Sequence, residues 1–224
     1  MRTFSVIVAD LETSRKVERR RAFAEELRAA LSATVGRFPI WFADLTPTRG
    51  IDELSGVLHE VDRAFDIMVD LNIQIWPHRF RFALARGVID VGLESTDAGA
   101  MDGTAFHRGA DALDRAKTEG LALAIELPFL DRREASVVEQ LATLHGDIMR
   151  RWTPREAESV RIYRETGSQV RAAKRLGVTQ QATSDALRRG LAGRLVECEQ
   201  SIRSWFKYVD SKGTDHDASG PGRR

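Results

Sequence analysis

The apolar pattern of this chain changes at Thr153, and that change divides the sequence into two parts. Up to Arg150, short β-branched and apolar runs alternate with segments whose apolar residues recur every three or four positions. After Thr153 no convincing strand pattern follows, and short helical segments are separated by capping residues and glycines. The sequence therefore predicts an α+β part over residues 1–150, a sheet covered by helices, and an all-α part over residues 151–210.

The front part is predicted to alternate strands and helices. The strands are expected at Thr3–Leu11, Phe38–Leu45, Phe80–Val91 and Leu121–Leu127. The helices are expected at Ser14–Val35, at a segment that Asp52 caps and Trp76-Pro77 ends, at Gly103–Glu119 and at Arg132–Arg150. Two irregularities are expected as well: a turn-rich break at Thr46–Gly50 and a kink or bulge at Gly87.

The rear part carries the signals of a helix-turn-helix. Thr153-Pro154-Arg155-Glu156 is a capping box with proline at the first helical position, and Gly167 ends the helix that it opens. Ser168 can cap a second helix that ends at Leu176, and Thr179 can cap a third. Between these two helices, Ala173 and Gly177 supply the small residue and the turn residue that a helix-turn-helix needs.

The third helix of this part is predicted to contact double-stranded DNA. Glutamine can bond adenine bidentately and arginine can bond guanine, whereas basic side chains around the helix suit phosphates. The predicted contact residues are Arg171, Lys174, Arg175, Thr179, Gln180, Gln181, Ser184, Asp185, Arg188 and Arg189. The net charge is only +1, so DNA affinity has to come from this local patch. The alternative is a helical protein-interaction bundle whose basic face is merely solvated.

A heptad spacing follows the third helix. Its apolar positions are Leu191, Leu195, Cys198, Ile202, Trp205 and Val209. One interpretation is that this seam packs on the helix-turn-helix, and the other is that it forms a homodimer contact. A dimer would present two such helices to neighbouring major grooves about 34 Å apart. Residues 211–224 are predicted to be a disordered tail.

Three segments of the front part resemble a known family when they are taken together. They are VIVADLETSRKVERR, GIDELSGVL at residues 50–58, and RFALARGVIDVG followed by MDGTAFHRGADAL. In this order they resemble the SatD family, whose members commonly end in a helix-turn-helix. More distantly, they resemble the palm-like, ferredoxin-like domain of class III nucleotidyl cyclases and GGDEF proteins. The resemblance covers about residues 3–205.

The resemblance implies a site for a nucleotide and divalent metals. Asp10 would be the first ligand of Mg²⁺ or Mn²⁺, and Asp52 or Glu53 the second. A bound nucleotide would lie near Asp10, Ser14 and Arg15. The sequence departs from the family pattern at two points, because Ile51 separates Gly50 from the acidic pair and Ala110 occupies an arginine position. Without that cation, transition-state stabilisation would be weaker.

These departures favour a non-catalytic front domain and assign no catalytic residue. In that interpretation Asp10 is structural, capping a turn or pairing with Arg15 or Arg81, and His107 lies on a helix surface. The sequence therefore predicts a DNA-binding transcriptional regulator with a degenerate cyclase-like domain that senses a nucleotide effector or supports dimerisation. The alternative is a metal-dependent nucleotidyl cyclase or nucleotidyltransferase that its DNA-binding domain localises.

The expected compartment is the cytoplasm, with no membrane partner. The single cysteine, Cys198, cannot form an internal disulfide. The apolar run near the start is too short for the hydrophobic region of a signal peptide, and no run approaches the length of a transmembrane helix.

Overall fold

The protein has a mixed α+β fold. The computed structural model describes residues 3–13 and 17–218, with side chains described as far as Gly213. The strands are β1 Thr3–Leu11, β2 Trp41–Arg49, β3 Glu53–Leu58, β4 Phe80–Val88 and β5 Leu123–Glu126. The helices are α1 Arg20–Arg37, α2 Ala64–Gln74, α3 Thr104–Glu119, α4 Arg132–Arg150, α5 Pro154–Thr166, α6 Gln169–Leu176, α7 Gln180–Arg189 and α8 Ala192–Ala218, with a short 3-10 turn at Ala98–Ala100.

The five strands form one sheet in the order β2-β3-β1-β4-β5. The first four strands pair antiparallel, and β5 is parallel to β4. Because side chains alternate along β1, Ile7 and Leu11 pack in the cluster shared with α1, α2 and α4, whereas Val6 and Val8 face α3 on the other side. The sheet is therefore covered on both faces.

Glycine allows α3 to approach the sheet closely. Gly87 pairs with Phe4 in an unbroken β1–β4 register, so the predicted kink or bulge at Gly87 is wrong. A Cβ atom at Gly87 would lie 2.5 Å from the backbone nitrogen of Ala105, at the start of α3. The glycine is thus needed for helix-to-strand contact rather than for a change in strand direction.

Two predictions for the segment between α1 and α2 are wrong. Residues 53–58 form β3 instead of beginning a helix, and Asp52 lies in the β2–β3 turn, where it does not cap α2. The predicted break at Thr46–Gly50 largely belongs to β2, which continues to Arg49 with register shifts. Because β2 lies at the edge of the sheet, Pro47 can be accommodated there without breaking a central ladder.

The other helix limits are close to those predicted, with two differences. Helix α1 begins at Arg20 rather than at Ser14, which lies outside the described residues. Helix α8 continues to Ala218, so residues 211–218 are helical where the sequence predicts a disordered tail, and residues 219–224 lie outside the description. Within the described part of the chain, none of the helices combines the length and the apolar character that crossing a membrane requires.

Candidate functional site

The three helices α5, α6 and α7 are delimited by side-chain caps. At Thr153 both bonds of the capping box are present, and the side chains of Ser168 and Thr179 accept hydrogen bonds from the backbone at the starts of α6 and α7. Gly167 and Gly177 each have φ of 65°, the left-handed conformation that ends a helix. These local interactions fix the lengths of the three helices and the turn between α6 and α7.

Helix α7 packs through one face and exposes the other. Thr183, Ala186 and Leu187 are buried on α7. Helix α6, which packs against α7, has Ala172 and Ala173 buried as well. Because most of these side chains are small, α6 and α7 lie close together. Leu176, Val178 and Ala182, near the turn between α6 and α7, are half-buried.

We call the outward side chains of this helix the α7 surface: Thr179, Gln180, Gln181, Ser184, Asp185 and Arg188. Gln180, Gln181 and Arg188 are exposed, and Ser184 and Asp185 are half-buried. The carboxylate of Asp185 accepts hydrogen bonds from Arg188, at 2.7 Å, and from Gln181, at 3.2 Å. A base edge that binds Arg188 or Gln181 would therefore have to compete with Asp185.

The basic residues beside the α7 surface differ in their partners. Arg175 pairs with Glu165 and Arg189 pairs with Glu156, while Arg171 donates to the carbonyl oxygen of Thr166. Lys174 is exposed and has no ion pair with any described residue. Residues 153–191 contain eight basic and four acidic side chains. The segment therefore has a net positive charge, although its acidic side chains offset half of the positive charges.

The three acidic residues predicted to bind a metal lie around one end of the sheet. Asp10 is the register partner of Glu53 across β1 and β3, and Asp52 lies in the adjoining turn. Each carboxylate has a cation: Lys117 lies 3.2 Å from Asp10, and Arg20 lies 3.3 Å from Asp52. Arg49 lies 3.5 Å from Glu53.

No cluster of three metal-ligating side chains occurs among the residues that the structure describes. Two of the residues predicted to lie near a nucleotide, Ser14 and Arg15, are outside the described ranges. Of the two arginines predicted as partners of Asp10, Arg15 lies outside the described residues and Arg81 pairs with Glu12 instead. A cation that does lie beside Asp10 is Lys117.

Four further charged residues lie at this end of the sheet: Glu12, Arg79, Arg81 and Lys117, of which the sequence motifs indicate only Arg81, as a possible partner of Asp10. The side chains of Glu12 and Arg79 are both largely buried and their charged atoms lie 2.6 Å apart. The signal available in the sequence was the alternation of Arg79 and Arg81 at the start of β4. We call these four residues together with Asp10, Asp52 and Glu53 the strand-end cluster. His107 is an exposed helix residue whose ring nitrogen lies 3.1 Å from Asp102.

The long helix α8 joins the three helices to the front domain. Its Arg203 makes two hydrogen bonds to the buried carboxylate of Asp66 on α2, at 2.6 and 2.7 Å. Asp210 accepts a hydrogen bond from the backbone N–H of Val61, before α2. On the side of the three helices, the indole of Trp152 donates to the carbonyl oxygen of Gly190 at 2.9 Å.

The predicted heptad seam lies largely within the chain. Leu195, Ile202 and Val209 are buried in the main core cluster, and Cys198 and Trp205 pack partly buried against it. Leu191, with φ of 54°, is exposed and precedes α8. Helix α8 packs on α2 and α4 as well as on α7, so the seam is not confined to the three helices. Apart from Leu191, the seam residues are buried or half-buried within the chain, which disfavours the seam as the contact of a homodimer.

Comparisons with known proteins add little to this geometry. No protein-family model matches the chain, and no curated protein matches it. Among solved structures, the chain is similar to the crystal structure of a regulator of polyketide synthase expression from Bifidobacterium adolescentis. The match covers 92% of this chain and 86% of that chain, with 11% sequence identity and a TM-score of 0.25. The SatD resemblance therefore stays a prediction from sequence motifs.

Proposed function

We propose that the chain is a DNA-binding transcriptional regulator whose helices α5–α7 act as a helix-turn-helix and whose α7 enters the major groove. The observation that carries this proposal is the exposure of Gln180, Gln181 and Arg188 on a helix whose opposite face is buried. These side chain types can read base edges. Lys174 and Arg171, which are also exposed, suit phosphates on either side.

The front domain is proposed to be a degenerate palm that regulates DNA binding. Its first four strands, with α1 and α2, follow the βαββαβ order of ferredoxin-like folds. Its carboxylates Asp10, Asp52 and Glu53 are each paired with a cation. A nucleotide effector bound at the strand-end cluster would have to change these pairings. If that change alters the affinity of the chain for DNA, DNA binding alters the affinity for the nucleotide by the same factor.

The proposal is tested by selecting sites from a random duplex DNA pool with the full chain. We expect enrichment of a defined sequence, and we expect Arg188→Ala to relax the preference at individual positions by about 1–3 kcal/mol. Arg108→Ala is the matched control, because Arg108 is exposed on α3. Helix α3 covers the face of the sheet opposite to the one that α1, α2 and α4 cover. A pool that remains random with the wild-type chain would contradict the proposal.

The second candidate function is a metal-dependent nucleotidyl cyclase or nucleotidyltransferase. The observation in its favour is the cross-strand pairing of Asp10 with Glu53 at the end of the sheet, where two carboxylates can face one metal ion. The chain would be incubated with the four nucleoside triphosphates and Mg²⁺ or Mn²⁺. A product that disappears in Asp10→Asn would support this function, and absence of any product would count against it.

The regulator is proposed to act as a homodimer, because two-fold symmetry presents two copies of α7 to adjacent major grooves of a palindromic site. Since the heptad seam is largely used within the chain, the contact between copies is proposed to lie elsewhere.

A further inference from the structure

An apolar stripe lies on the outer side of α4. Val137, Leu141 and Leu144 are exposed by 62%, 39% and 59%, and Ile148 continues the stripe half-buried. The spacing of four, three and four residues places all four side chains on one side of the helix. The other large apolar side chains that are exposed among the described residues are scattered: Val91, Leu93, Val170, Leu191 and Tyr208.

The stripe is separate from the face through which α4 joins the core. That inner face consists of Ala135, Val138, Glu139, Ala142, His145 and Met149, all buried. Glu139 is the only charged residue between Ser136 and Leu144, and it is tied to Arg115 and Arg132. The two central turns of the stripe therefore present no exposed charge, which is unusual for the solvent side of a helix.

We propose that this stripe is a homodimer contact in which the α4 helices of two copies pair antiparallel around a two-fold axis. A two-fold axis near Gln140 would bring Val137 of one copy opposite Leu144 of the other. Along one flank of the stripe, Arg133, Gln140 and Asp147 recur every seven residues, so they occupy equivalent positions.

The charges on this flank match an antiparallel pair. With the axis near Gln140, Arg133 of each copy lies beside Asp147 of the other, so opposite charges meet at both ends. In the free chain Asp147 pairs with the nearby Arg150 at 2.7 Å, while its side chain stays 44% exposed. A parallel pair would instead set Arg133 against Arg133 and Asp147 against Asp147, which is repulsive. Charges of both signs around an apolar centre favour a second copy over a membrane surface.

This inference rests on the proposed homodimer and not on DNA binding, so it is tested without DNA. Sedimentation of the full chain over a range of concentrations should show a monomer–dimer equilibrium. Leu141→Glu should weaken the dimer by at least about tenfold, because it places a charge in an apolar contact. Val170→Glu is the control, since Val170 is 60% exposed on α6, outside the stripe.

Charge exchange tests the antiparallel register. Arg133→Asp and Asp147→Arg should each weaken the dimer, and the double variant should restore it, because both pairs then regain opposite charges. A wild-type chain that stays monomeric, or a dimer unaffected by Leu141→Glu, would overturn the contact, and failure of the double variant to recover would overturn the register. A monomer that still selects a DNA site would leave the regulator proposal standing.

Discussion

His145 on α4 and Glu199 on α8 form a buried pair, with 2.8 Å between the ring nitrogen Nε2 and the carboxylate oxygen Oε1. The same carboxylate pairs with Arg164 on α5. Burial alone would raise the pKa of Glu199, but the hydrogen bond from His145 and the charge of Arg164 outweigh it and lower the pKa below its ordinary value. The carboxylate of Glu199 thus connects α8 with α4 and with α5.

Removing this carboxylate should destabilise the protein strongly. Glu199→Ala leaves Arg164 and His145 without their shared partner, and we expect a loss of about 3–5 kcal/mol in the free energy of unfolding. Urea denaturation followed by circular dichroism measures this loss. Glu197→Ala is the control, because Glu197 is exposed and its ion pair among the described residues is with the exposed Arg194. Equal effects of the two substitutions would contradict the structural role assigned to Glu199.

Stability should fall at acid pH partly through Glu199 and Glu139. The pKa of Glu139 is also lowered: burial would raise it, but hydrogen bonds from Arg132 and Arg115 outweigh that effect. A carboxylate with a lowered folded-state pKa stabilises the fold above its unfolded pKa, about 4.3, and this contribution is lost as pH falls further. Glu199→Gln removes one such contribution, so its stability should depend less steeply on pH below about 4.3. Parallel wild-type and variant profiles would be the contrary result.

Substitution of Gly87 should test the close approach of α3 to the sheet. A Cβ atom there would lie 2.5 Å from the nitrogen and 2.8 Å from the Cα atom of Ala105, and both are backbone atoms. We expect Gly87→Ala to cost about 1–3 kcal/mol in unfolding free energy. Gly36→Ala, on α1, meets nothing within 4 Å and should be neutral or stabilising. If the two variants melted alike, the proposed contact would be wrong.

The rear helices could be predicted closely because their limits are set by local interactions. Thr153, Ser168 and Thr179 each bond backbone groups within their own helix, and Gly167 and Gly177 end helices through their own φ angles. Such interactions are visible in a few consecutive letters of the sequence. The α7 surface could be predicted from the same few residues, because the positions of the apolar side chains along a short helix indicate which side is buried and which side faces solvent.

Tertiary contacts account for what the sequence did not reveal. Strand β3 was missed because Ser55-Gly56 suggests a break and Val57 with Val61 suggests a helix. Gly56 is needed there because a Cβ atom would lie 3.0 Å from the Cα atom of Leu45 on β2. Similarly, the heptad spacing predicted an apolar seam on α8 but not which elements would cover it. The pairing of Asp10 with Lys117 joins residues far apart in the chain and has no local signal.

The half-buried Asp185 should modulate DNA selection. Because its carboxylate pairs with Arg188 in the free chain, Asp185→Asn should free the guanidinium for a base or phosphate and strengthen binding to DNA of any sequence. We expect a gain of about threefold to tenfold in affinity at low salt. Fluorescence anisotropy with labelled duplexes measures it, and Asp111→Asn, an exposed change on α3, is the control. A decrease in affinity would show that Asp185 is itself needed for binding.

Basic residues beside α7 are proposed to contact DNA phosphates, and the salt dependence of DNA binding measures such contacts. The full chain would be titrated with duplex DNA at several salt concentrations, together with Lys174→Ala, Arg171→Ala and the control Arg108→Ala. We predict that each of the first two variants lowers the slope of log affinity against log salt by about one, and that the control leaves it unchanged. Absence of salt-dependent binding by the wild-type chain, or equal slopes for all four proteins, would contradict the claim.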